Sequence, residues 1–88
     1  MIVEIPAESI KSHAEFDAMK KDINSILDRL HSMRVTRDVY EQIVAGIRHI
    51  AHMALKDKEV IEEIVDKSQT ALRNKKELEF PVIYEEVK

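Results

Sequence analysis

Gly46 is the only glycine in this chain and no proline lies between it and Pro81, so over residues 47–80 nothing in the backbone chemistry obliges a helix to stop. An apolar seam keeps step through the same stretch. Starting from Tyr40, the positions Ile43, Ile47, Ile50, Ala54, Asp57, Ile61, Ile64, Ser68, Ala71, Lys75 and Leu78 recur at alternating steps of three and four residues. This is the heptad repeat of a helix lying along another helix. A helix that stopped and restarted at a new angle would have no reason to keep that register, so the spacing predicts one long, coiled-coil-like helix over residues 37–77. The alternative is a break near 57, because Asp57-Lys58-Glu59-Val60 is acceptable capping chemistry and three-helix bundles are common at this size.

A shorter helix is predicted over residues 12–33. Ser12-His13-Ala14-Glu15 has the spacing of a capping box, in which the serine hydroxyl accepts a free amide and the glutamate returns a bond to the cap. Behind it Phe16, Met19, Ile23, Ile26, Leu30 and Met33 repeat with the same three-four step, with Leu27 at the edge of the stripe. Residues 33–36 then make a tight connection, and Thr36 is a suitable cap for the long helix. Both ends of the chain differ from the middle. MIVEI and EFPVIYEEV are rich in branched and aromatic residues, and Pro6 and Pro81 discourage helix, so residues 1–6 and 79–85 are expected to be extended or β arms. Such arms are too short to be stable alone and could pair with each other or with a neighbouring subunit. The fold expected is mainly all-α: a single domain over residues 1–88, an antiparallel helical hairpin with short arms.

Length makes this arrangement consequential. At 1.5 Å per residue the first helix spans roughly 33 Å and the second roughly 61 Å. The first therefore covers the second only to about residue 58. Beyond that point Val60, Ile61, Ile64, Val65, Ser68 and Leu72 would form an uncovered face. Burying a large apolar side chain is worth about 1.5–3 kcal/mol, so such a face is expected to be an oligomer interface. The earlier half of the long helix agrees. Its apolar residues from Val39 to Leu55 fill a broad arc, more than one partner helix needs. Gly46 sits on the edge of this arc, at a cost of about 1 kcal/mol relative to alanine in a helix interior. Close approach of another backbone is one reason for such a residue; chance is another.

Several kinds of chemistry find little purchase. Without cysteine the chain has neither disulfides nor thiolate metal ligands, and nothing in it reads as a membrane span or a secretion signal, so a cytoplasmic location is expected. No Ser-His-acid arrangement or glycine-rich phosphate loop is legible, and no cofactor is implied. His49 and His52 stand one turn apart, and Asp38, Glu41 and His31 could supply further ligands to a metal. Both histidines project from the polar side of the helix, where solvated imidazoles are ordinary. Catalysis is not expected.

Charge says more. Residues 29–56 carry five basic side chains, Arg29, Arg34, Arg37, Arg48 and Lys56, against Asp38 and Glu41, a net of +3. The remaining residues hold nine bases against fifteen acids. At the basic end, Arg34, Thr36, Arg37, Tyr40 and Arg48 lie near the start of the long helix, where free amides and the helix dipole favour an anion. The plainer account is that these charges are solvated or meet the acidic half of a neighbour. That acidic half, including Glu59, Glu62, Glu63 and Asp66, opposes general nucleic-acid binding. The leading functional expectation is a non-enzymatic homo-oligomeric helical interaction protein, a small regulator, inhibitor or assembly component that binds and masks a partner. The alternative is a phage-type sequestering protein that holds a small anionic, nucleotide-like ligand between subunits at the basic end. Its layout is loosely similar to short helical hairpins that phages use against nucleotide-signalling defences, and no residue motif carries that likeness.

Overall fold

The computed structural model describes residues 1–83; Tyr84 and Glu85 of the expected C-terminal arm lie outside them. A short strand, β1 (Ile5–Pro6), leads through a single 3-10 turn at Ala7–Ser9 into three helices, α1 (His13–His31), α2 (Arg37–Ala54) and α3 (Lys58–Asn74), and the described chain closes with β2 (Val82–Ile83). Each helix start is capped by the side chain before it. Ser12 Oγ accepts the Glu15 amide, Thr36 Oγ1 the Val39 amide and Asp57 Oδ1 the Glu59 amide. These contacts occupy amides that the first turn of a helix leaves without partners.

The chain is mainly helical, but the single rod over residues 37–77 is corrected to two helices. Such a rod would be roughly 61 Å long, and the longest dimension of the Cα trace is 49 Å. The corner falls at residues 55–57, where Leu55 adopts an extended backbone and buries its side chain. What ends α2 is supplied from far away in the sequence. The Lys11 amide donates to the Ala54 carbonyl at 2.9 Å, and the Lys56 amide donates to Ser9 at 2.7 Å. Lys11 Nζ donates to the His52 carbonyl at 2.8 Å, placing a cation on the negative end of the helix dipole. Lys11 thus satisfies carbonyls that a continuing helix would have used, and the Ser9 carbonyl takes the Lys56 amide. The unbroken register did not require an unbroken helix. Two helices that face one core from opposite sides of a corner can keep the same three-four spacing.

α2 runs antiparallel to both neighbours. Arg48 meets Glu62 across α2 and α3, while Met19 and Asp22 of α1 lie beside Ile50 and Met53 of α2. The core takes Phe16, Met19, Ile23, Leu27 and Leu30 from α1, Ile47, Ala51 and Ala54 from α2, and Val60, Ile61, Ile64, Val65 and Ala71 from α3. Leu27 replaces Ile26 in the expected seam, because α1 packs against α3 and the C-terminal arm as well as against α2.

The two arms pair with each other, in parallel. Ile5 stands opposite Val82 and Pro6 opposite Ile83, and a further bridge joins Ile2 to Glu79. The Val3 amide donates to Glu79, the Ile5 amide to Pro81 and the Glu79 amide to Met1, at 2.8–3.0 Å. Side chains alternate as a half-buried strand requires: Val3, Ile5, Leu78 and Phe80 face the core while Ile2, Glu4, Glu79 and Pro81 face outward. Pro81 contributes only its carbonyl to the ladder, which suits its missing N–H. α3 ends at Lys75, whose φ of 55° is left-handed, and the Lys76 amide reaches back to Ala71 at 2.8 Å in a Schellman-type closure.

Candidate interaction surface

The six residues expected at an oligomer interface lie elsewhere. Val60, Ile61, Ile64, Val65 and Ser68 are buried within the chain itself and Leu72 is half-buried. Ser68 Oγ donates to the Ile64 carbonyl at 2.7 Å, which satisfies its hydroxyl inside the helix. The corner folds α3 back onto α2, and the strand arms close over the rest, so the greasy overhang that motivated self-association through these positions is covered without a second chain.

The basic end comes together only in part. Arg37, Tyr40 and Arg48 line an open groove of about 600 Å³ between α2 and α3, together with Glu41, Val44 and Gln69. Arg34 stands exposed in the α1–α2 connection and does not line it, and Thr36 is engaged in capping. Both arginines already face carboxylates. Arg37 Nε lies 3.6 Å from Glu41, and Arg48 donates from Nε and an Nη to the two oxygens of Glu62 at 3.0 and 3.2 Å. That two-pronged hydrogen bond from Arg48 holds the Glu62 carboxyl below its ordinary range; desolvation opposes it, and the Arg48, Lys58 and His52 charges add weaker attraction. The sequence did not mark Glu41, Val44 and Gln69 as groove residues, nor Glu62 as the partner of Arg48. The Arg37–Glu41 spacing of four was readable as a helical pair; the Arg48–Glu62 pair required knowing that α3 turns back.

Among the described residues, no three histidine or carboxylate side chains converge where a metal ion could be held. His49 and His52 are exposed on α2, and His31 ends α1 with a buried Nε2 that has no hydrogen-bond partner among the described residues. No helix of the described residues is long and apolar enough to cross a membrane.

A different surface stands out. On the α1–α2 face, Met33, Val39 and Met53 are 63%, 44% and 57% exposed, and Ile26, Ile43 and Ile50 beside them are only half-buried. Two shallow hollows lie along this face. One, of about 300 Å³, is lined by Ile26, Arg29, Leu30, Met33, Val39 and Ile43. The other, of about 110 Å³, is lined by Glu15, Ala18, Met19, Asp22, Ile50 and Met53. On α2 the positions Val39, Ile43, Gly46, Ile50 and Met53 form a second three-four seam, one step around the helix from the buried one. The broad apolar arc of α2 signalled this surplus in the sequence, although the seam itself was not singled out. Compared with protein-family models, with curated proteins and with solved structures, the chain matches none.

Proposed function

We propose that this chain is a non-enzymatic helical interaction protein, a small regulator, inhibitor or assembly component that acts by binding and masking a partner through its α1–α2 face. One observation supports this above others: an apolar seam, exposed at Val39 and Met53 and half-buried at Ile43 and Ile50, remains on α2 beside the face that already fills the core. Water contact along such a seam is unfavourable, and a covering surface removes it. Around the seam stand polar and charged residues, as at the rim of an interface. The reading is tested with a photo-crosslinking residue at Met53 or Val39, and at Glu63 on the outer face of α3 as control, in the cells that make the protein. Discrete adducts from Met53 and Val39 but not from Glu63 are expected. Equal labelling from all three positions, or none from any, contradicts the reading.

A second reading, sequestration of a small anionic ligand, is favoured by the groove that brings Arg37, Tyr40 and Arg48 together. A ligand there must displace Glu41 and Glu62 from the arginines, and the pairing therefore lowers its affinity. Mass spectrometry of the native protein, with and without added nucleotide, tests it. A retained nucleotide lost in Arg48→Ala supports sequestration; no retention at any nucleotide concentration opposes it.

A further inference from the structure

We infer that the surface covering the α1–α2 face is a second copy of this chain, packed antiparallel about a two-fold axis that passes beside Gly46. The inference rests on the interaction reading and names the occupant.

A two-fold interface must be complementary to itself, and this face is. Val39 and Met53 each lie seven residues from Gly46, and Ile43 and Ile50 lie three and four residues from it. Rotation about Gly46 therefore brings Val39 against the second copy's Met53 and Ile43 against its Ile50. The exposed Met53 meets the hollow of about 300 Å³ beside Val39, which suits a flexible thioether side chain. Gly46 fits the crossing point. Among the described residues a side chain there would meet nothing within 4 Å, so no contact among them accounts for the glycine, whereas a helix crossing at this point could approach closely.

Charge selects the antiparallel arrangement. The hollow beside Ile50 and Met53 is acidic, with Glu15 and Asp22 on its wall; the hollow beside Val39 and Ile43 carries Arg29. Among the described residues neither Asp22 nor Arg29 takes part in an ion pair. The two-fold axis lays the acidic hollow of each copy over the Arg29 hollow of the other, giving two Asp22–Arg29 pairs between chains. An axis along the helices would instead press Glu15 and Asp22 onto Ile50 and Met53, desolvating carboxylates with no cation in reach.

Sedimentation and native mass spectrometry of the full chain test this. The unmodified chain is expected to be a dimer at micromolar concentration. Gly46→Glu places two carboxylates together at the axis and is expected to give monomers whose melting temperature is held or raised, since glutamate is the better helix former. Asp22→Arg and Arg29→Asp should each weaken self-association about tenfold or more, and mixing the two variants should yield a heterodimer with both pairs restored. An unmodified chain that stays monomeric above about 100 µM, a Gly46→Glu variant that remains dimeric, or variants that fail to associate on mixing overturns the proposal. A monomer that still cross-links at Met53 to a different protein overturns the second copy and leaves the interaction reading standing; a monomer with no adduct removes both.

Discussion

Asn24 and Leu78 exchange two hydrogen bonds, the Asn24 Nδ2 donating to the Leu78 carbonyl and the Leu78 amide donating to Asn24 Oδ1, both at 3.1 Å. Backbone groups alternate in direction along an extended chain. Those of Glu79 turn toward the N-terminal arm, and those of Leu78 turn toward α1. The side-chain amide of Asn24 thus does for Leu78 what a third strand would do. Asn24→Ala leaves a donor and an acceptor without partners in a partly buried place and is expected to cost about 1–3 kcal/mol in urea unfolding. Asn24→Asp keeps the acceptor alone and should fall between. Amide exchange at Leu78 should quicken in both variants; unchanged exchange would remove this role from Asn24.

The corner between α2 and α3 yields a second prediction. Leu55 is buried in extended backbone, and Leu55→Ala is expected to cost about 2–4 kcal/mol by cavity formation. Lys11→Met keeps the aliphatic stem but removes the cation from the His52 carbonyl, with an expected cost of about 1 kcal/mol. Thermal unfolding of both checks the order.

Lys75 holds a left-handed conformation that a Cβ disfavours. Lys75→Gly is expected to raise stability by about 0.5–1 kcal/mol, read from the urea midpoint, because the relief of strain exceeds the added freedom of the unfolded chain. Lys75→Val should lower it.

Ile23 and Ile64 are both fully buried, one on α1 and one on α3. Truncation of either to alanine is expected to cost about 2–4 kcal/mol, with similar loss of cooperative unfolding. An Ile64→Ala chain that changed only its state of association, with its fold intact, would put Ile64 back on the surface.

The Glu62 carboxyl, held below its ordinary value of 4.5 chiefly by hydrogen bonds from Arg48, makes a pH-dependent contribution. A lowered folded value means that the charged form is favoured by folding. Its contribution is therefore complete above the ordinary value and is lost as pH falls through the folded one. The advantage of the unmodified chain over Glu62→Gln should be present at neutral pH, shrink as acid is added below 4.5, and shrink with salt because the pair is exposed. Denaturation curves across pH and ionic strength check both.

Local signals in the sequence carried much of this fold. Ser12 and Thr36 could be read as caps because capping needs only neighbouring residues, and the branched and aromatic residues of MIVEI and EFPVIYEEV pointed to extended arms. The corner could not be read in the same way. Asp57 was visible as a possible cap, but what decides between stopping and continuing is the arrival of Ser9 and Lys11 at the end of α2, and no helical period encodes a contact so distant in sequence. The same gap explains the groove, where Arg48 could be seen and its carboxylate could not. Gly46 stands out in the sequence on the edge of an apolar arc; its meaning depends on the side of the helix that the rest of the chain leaves open.

The pairing of β1 with β2 also sets an order of events during synthesis. Residues 1–6 leave the ribosome before the helices, yet their ladder partners in residues 77–83 are made more than seventy residues later. The helices can begin to gather while translation proceeds, because their contacts are closer in sequence. The opening residues must wait beside them, and the edges of Val3 and Ile5 stay unclaimed until the late-made strand emerges to fasten them.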